Sequence, residues 1–91
     1  MFTIELSTPQ WLFDTLHNEF DFSIDVCATD ANAKCPRYYT KEQDGLAYNW
    51  NNERVFCNPP YGRAIGLWVQ KLAEGDAELC VALLPARTDT K

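Results

Sequence analysis

The residues best equipped for chemistry are Asn58-Pro59-Pro60-Tyr61, which directly follow the short apolar run Val55-Phe56-Cys57. Two consecutive prolines fix two φ angles and remove two N–H donors, so this corner is stiff and offers mainly carbonyl acceptors. Asn58 adds a side-chain carbonyl oxygen and Tyr61 a flat aromatic face. Together they describe a socket for a planar ring that carries an amino group. Asn58 Oδ1 and the Pro59 carbonyl each accept one amino hydrogen, and Tyr61 stacks on the ring. The exocyclic amine of adenine needs such help, because its lone pair is delocalised into the ring. Two acceptors holding its hydrogens favour a more tetrahedral nitrogen, which can attack an electrophile in line. A site of this kind works by positioning and electrostatics and needs no strong general base. A base drawn from a duplex must be extruded at a cost of about a few kcal/mol, part of which stacking on Tyr61 offsets. The plain alternative is a rigid strand-to-helix turn with an incidental asparagine. The apolar strand before the motif, and Gly62 and a helical pattern after it, favour the socket.

The elements that must hold this corner can be read along the chain. Thr8 can cap a helix whose first position is Pro9, where the missing N–H costs nothing. Leu12, Leu16 and Phe20 then recur at helical spacing with Phe13 and His17 beside them, giving about three turns. Phe22 to Cys27 reads as a strand ending near Ala28. Thr29 to Asn52 is polar and long for a structureless connection, which suggests a functional loop or a short helix within it. Val55-Phe56-Cys57 is a second strand. Ile65, Trp68, Val69 and Leu72 mark a second helix closed by Gly75. Glu78 to Leu84 is a third strand, nearly all apolar, as expected where both sheet faces are covered. Helix, strand, loop, strand, helix, strand is an α/β order with a parallel sheet and right-handed crossovers. Ligands in such sheets bind outside the carboxyl ends of the strands. Those ends are Asp25 to Ala28, Asn58 to Tyr61 and Pro85 to Asp89.

Composition bounds what this architecture can be. Ninety-one residues form one domain at most, taken here as 1–91, with a modest core. Hydrophobic residues at 46% exclude a disordered chain, and the longest apolar run, Leu79 to Leu84, is too short to span a bilayer. The N-terminus has no secretory-signal pattern, so a soluble, intracellular domain is expected. A net charge of −5 with scattered basic residues argues against a general nucleic-acid coat, though not against an enzyme touching nucleic acid through a local patch. Cys27, Cys35, Cys57 and Cys80 include no CxxC pair, and His17 is the single histidine, so neither a zinc site nor a disulfide framework is expected. Reduced thiols are the reading, with Cys80 in the core.

The chain resembles the phage and prophage DNA N-6-adenine methyltransferases (Dam-like). The matching stretches are Thr8-Pro9-Gln10-Trp11-Leu12-Phe13, then Phe22 to Ala28 with Asn32-Ala33, then Asp44-Gly45-Leu46 and Trp50. They continue with Phe56-Cys57-Asn58-Pro59-Pro60-Tyr61-Gly62, Trp68 and Leu83 to Thr90. The motif Asn-Pro-Pro-Tyr alone would also suit methyltransferases acting on RNA or on protein glutamine; the surrounding blocks favour the DNA family. The resemblance implies a partial Rossmann-like (class I methyltransferase) sheet with flanking helices, expected to be truncated at its C-terminus. It implies transfer of a methyl group from S-adenosylmethionine to adenine N6 in duplex DNA, in the cytoplasm of a bacterial host. Asn58, Pro59, Pro60 and Tyr61 would form the target-base site. The Thr8-Pro9 segment would approach the methionine end of the cofactor, Asp25 beside Ala28 would meet a ribose hydroxyl or an ammonium group, and Asp44 would meet the cofactor's adenine amine. For Asp44 an ordinary Asp-Gly turn is the competing reading. The glycine-rich loop of most methyltransferases is absent, since the only glycines are Gly45, Gly62, Gly66 and Gly75. A truncated, inactive prophage remnant that survives by pairing with another chain is the reading of a different class.

The remaining residues receive plainer expectations. His17 reads as a half-buried surface histidine, and Trp11 and Trp68 as core. Trp50 could stack on a ligand or cover a sheet edge. Arg63 and Arg87 read as surface arginines, with phosphate contact as the alternative.

Overall fold

The computed structural model describes residues 8–60 and 62–84. Tyr61, and the expectations placed on Pro85 to Thr90 with Arg87, lie outside the described residues. Two helices, α1 (Gln10–Phe20) and α2 (Ile65–Glu74), accompany four strands: β1 (Ile24–Ala28), β2 (Tyr38–Thr40), β3 (Arg54–Cys57) and β4 (Leu79–Ala82). All strand pairs are parallel, in the order β2-β1-β3-β4. The expected α/β parallel sheet with flanking helices is therefore present, as part of a Rossmann-like fold. The long polar segment contains both β2, which the sequence reading did not include, and a single 3-10 turn at Gly45–Ala47.

Strand alternation divides the core into two layers. On one face Ile24, Val26, Val55 and Cys57 pack with Trp50 and with Trp68 of α2. On the other face Phe56 packs with Phe22, Cys35 and Phe13 of α1. Phe13 meets Phe56 edge to face at 5.1 Å between ring centroids, a favoured aromatic geometry. On α1 Phe13 is the buried residue, with Leu16 and Phe20 half-buried beside it as expected; Phe13 takes the central place expected for Leu12. Trp11 stands about 200° round the helix from Phe13, and it is 69% exposed, contrary to the core position expected for it. Trp50 proves to be core: it is 2% exposed and donates from Nε1 to the Gly45 carbonyl at 3.0 Å, which removes it as a ligand-stacking surface.

The first helix starts differently from expectation. Pro9 occupies the capping position instead of the first helical one, and its carbonyl accepts from Leu12 and Phe13. No side chain caps α1: the capping residue is Pro9, which has no side-chain acceptor, and the Thr8 hydroxyl accepts from Asn58. At its far end the chain turns through Asp21 in the left-handed region, and His17 Nδ1 accepts the Phe22 N–H at 3.0 Å. His17 thus fixes the turn from α1 into β1. Gly75 closes α2 with extended backbone, donating to the Lys71 carbonyl. Val69, on the expected apolar face, is 40% exposed. β4 is half-buried along its length, and so is Cys80, contrary to the full burial expected. The reason is position: among the described residues β4 is an edge strand, whereas β1 and β3 are central.

The amino ends of the strands are tied by ion pairs. Glu53 accepts two hydrogen bonds from Arg37, at 2.9 and 2.6 Å, and a third from the Ser23 hydroxyl at 2.7 Å. Arg54 donates to the Phe20 carbonyl and to Glu78. The Arg37 guanidinium, against the opposing effect of burial and with help from Ser23, holds the Glu53 carboxyl below its ordinary value of 4.5. A depressed carboxyl stabilises the fold above that value and loses its contribution as pH falls through the lower folded one. Glu53→Gln is expected to cost about 1–2 kcal/mol in urea unfolding at neutral pH and almost nothing well below pH 4. An equal cost at both pH values would contradict this role.

Candidate functional site

The strand order has a reversal: from β1 the chain steps outward to β2, then crosses back to β3 on the other side. Open parallel sheets form their ligand crevice at such a switch point, outside the carboxyl ends of the two diverging strands. Here those strands are β1 and β3, which pair in register with Ile24 opposite Val55 and Asp25 opposite Phe56. A cleft of about 500 Å3 opens there.

One wall is the corner after β3. Asn58, Pro59 and Pro60 all line the cleft, with Pro59 buried and Pro60 exposed. Asn58 donates from Nδ2 to Thr8 Oγ1 at 2.9 Å, and Thr8, 6% exposed, lines the same wall. Among the described residues Asn58 Oδ1 has no hydrogen-bond partner. Pro9 is exposed and is not part of the lining, so the structure separates it from Thr8, with which the sequence reading grouped it. Its contribution is to the backbone at the start of α1.

The opposite wall is the end of β1. Asp25 and Ala28 line it. Asp25 is 2% exposed and accepts from the Cys27 N–H at 3.2 Å and the Lys34 N–H at 3.1 Å, one on each carboxylate oxygen. Burial pushes its carboxyl above the ordinary value, while these two N–H bonds and the Lys34 charge pull the other way. Each oxygen keeps a second lone pair, so Asp25 both pins the loop after β1 and can still accept from a ligand. Cys27 also faces the cleft; burial, and secondarily the Asp25 charge, pushes its thiol up to about 11. At neutral pH it is an uncharged wall and a poor nucleophile.

The third side is the Asp44 turn. Asp44 has φ 60°, a conformation aspartate tolerates better than most residues, and it accepts the Leu46 N–H at 3.2 Å on Oδ1. Its other carboxylate oxygen has no partner among the described residues. The Asp-Gly turn is present, and Asp44 also lines the cleft. Gly45 explains the placement. A methyl group there would overlap the Val26 carbonyl oxygen and crowd the Trp68 ring. Only a glycine lets the turn lie directly on β1.

The cleft thus gathers Thr8, Asp25, Ala28, Asp44 and the Asn58 corner from four separate parts of the chain. Lys34 and Lys41 also line it and were not singled out in the sequence. Their signal in the sequence is weak, because both sit in a polar segment where a lysine is ordinarily a solvated side chain. Arg63 is exposed, just after the corner.

Comparison with known proteins accords with this geometry. The family model described as DNA N-6-adenine-methyltransferase (Dam) matches residues 5–91. The chain belongs to that family. A DNA N-6-adenine-methyltransferase of Haemophilus phage HP1 is 29% identical over 70 residues, covering 75% of this chain and 40% of the relative. A DNA N-6-adenine-methyltransferase of Escherichia phage T1 is 31% identical over 70 residues, covering 75% of this chain and 29% of the relative. The chain therefore spans less than half the length of these two Dam relatives. No solved structure matches it. Among the described residues, no helix is long and apolar enough to cross a membrane.

Since Gly45 seats the acidic turn on β1, Gly45→Ala is expected to destabilise the fold by about 1–3 kcal/mol in urea unfolding. Unchanged stability would show that the turn can shift without cost.

Proposed function

We propose that this chain transfers a methyl group from S-adenosylmethionine to the N6 amino group of adenine in double-stranded DNA. One observation carries the reading: the Asn58-Pro59-Pro60 corner and the end of β1 share a single cleft at the switch point of the sheet. Its volume falls within the roughly 300–1,000 Å3 of small-molecule sites.

The donor set suits the cofactor. When bound, S-adenosylmethionine supplies a methyl group on a positively charged sulfur. Asp25 offers a carboxylate to a ribose hydroxyl or an ammonium group, and the small side chain of Ala28 permits close approach at the strand end. The uncommitted oxygen of Asp44 suits an adenine amine. On the base side, Asn58 Oδ1 and the Pro59 carbonyl accept the two hydrogens of adenine N6, with Tyr61 stacking on the ring. The bound cofactor would supply its methyl group to the N6 lone pair and leave as the neutral thioether, while Asn58 and Pro59 hold the amine and the proton lost from N6 would pass to water. Orientation and electrostatics supply the acceleration. Arg63, beside the base socket, suits a DNA phosphate.

Incubation of the chain with methyl-labelled S-adenosylmethionine and an adenine-containing duplex is expected to yield N6-methyladenine. Asn58→Ala is expected to lower that yield roughly 100-fold. Absence of cofactor binding by the folded chain in calorimetry, or label transferred to RNA or a glutamine peptide instead of DNA, would overturn the proposal.

A further inference from the structure

We infer that Thr8 is a positioning residue, whose hydroxyl fixes the plane and position of the Asn58 carboxamide where its carbonyl oxygen can meet the amine of the target base. This rests on the base-site reading above and replaces the cofactor contact that the sequence alone suggests for Thr8.

The two ends of a carboxamide have nearly the same shape but opposite hydrogen-bonding character. Turned one way, Asn58 offers an acceptor to an incoming amino group; turned the other, it offers a second amino group, and the two repel. The 2.9 Å bond from Asn58 Nδ2 to Thr8 Oγ1 takes up the donor end and leaves Oδ1 without a partner among the described residues. Thr8 is 6% exposed, so little water competes for this bond.

The anchor is itself held in place. Pro9 follows Thr8, which restricts the Thr8 backbone to extended conformations. The Pro9 carbonyl accepts from Leu12 and Phe13 to open α1, and Phe13 packs edge to face on Phe56. Phe56 lies on β3, two residues before Asn58 at the corner that follows it. The sequence separation of fifty between Thr8 and Asn58 is therefore bridged by a short rigid path. A hydroxyl can also donate, so either Asn58 orientation could be tolerated in the absence of substrate. What Thr8 supplies is a fixed plane and position, and the substrate amine selects the end.

The test compares Thr8→Val, which keeps the shape and removes the hydroxyl, with Thr8→Ser, which keeps the hydroxyl. The full chain is titrated separately with 2′-deoxyadenosine and with S-adenosylmethionine by NMR, and the side-chain NH2 resonances of Asn58 are followed. Thr8→Val is expected to shift those resonances toward free-amide values and to weaken 2′-deoxyadenosine binding roughly fivefold or more, with S-adenosylmethionine affinity unchanged. Thr8→Ser is expected to stay within about threefold of the parent for both ligands. Should Val fail to fold, Thr8→Ala removes the hydroxyl without placing a new methyl group and gives the same readout. Weakened S-adenosylmethionine binding with intact 2′-deoxyadenosine binding would overturn the inference in favour of a cofactor contact. So would unchanged binding of both ligands, provided Asn58→Ala weakens 2′-deoxyadenosine. If Asn58→Ala leaves 2′-deoxyadenosine binding unaltered, the base-site reading itself falls, and this inference with it.

Discussion

The parallel pairing of β1 with β3 is the constraint from which the cleft follows. Because Ile24 lies opposite Val55 and Asp25 opposite Phe56, the two strands run side by side to nearly the same level before the chain leaves each of them. Asp25 and the corner at Asn58 then sit at the ends of adjacent strands, Asn58 two residues beyond Phe56, the partner of Asp25. A parallel pair also requires its connections to travel the length of the sheet, one toward β2 and one toward α2, which leaves a crevice between them. The burial that enforces this register is apolar: Ile24, Val26, Val55, Phe56 and Cys57 are almost wholly excluded from solvent. A slip of one residue would move Phe56 from the α1 face to the other and break both layers at once.

The two poles of the sheet use polar groups differently. At the amino ends, Glu53, Arg37, Ser23, Arg54 and Glu78 are paired with one another. At the carboxyl ends, Asp25 is held by backbone N–H groups, Asp44 uses one oxygen on its own turn, and Asn58 uses its amide nitrogen on Thr8. Each of these three side chains is oriented by one set of atoms and keeps further acceptor capacity for a ligand. The first pole stabilises the sheet. The second, on the proposed reading, performs the chemistry.

Much of this was legible in the sequence because it depends on local covalent chemistry. The diproline after an apolar strand fixes a corner whatever packs around it, and the helical stripes and short apolar runs gave the element order. What escaped depends on tertiary context. Tyr38–Thr40 is too short and too polar in its surroundings to announce a strand; it becomes one by pairing beside β1. Trp50 in a polar segment gave no sign that it would fill the core under the Gly45 carbonyl. Trp11 looked like core because it is large and apolar, yet the phase of α1 is set by Phe13 against Phe56 and turns Trp11 outward. The meeting of Thr8 with Asn58 belongs to the same class, since no local pattern links residues so distant in sequence.

The central claim is that one cleft takes a cofactor on its β1 side and an adenine amine at the Asn58 corner. A crystal structure of the chain with S-adenosylhomocysteine and 2′-deoxyadenosine tests it most directly. The account predicts the nucleoside amine within hydrogen-bond distance of Asn58 Oδ1 and the cofactor product against Asp25 and Asp44. Either ligand bound elsewhere, or an Asn58 corner closed over by the protein's own side chains, would contradict it.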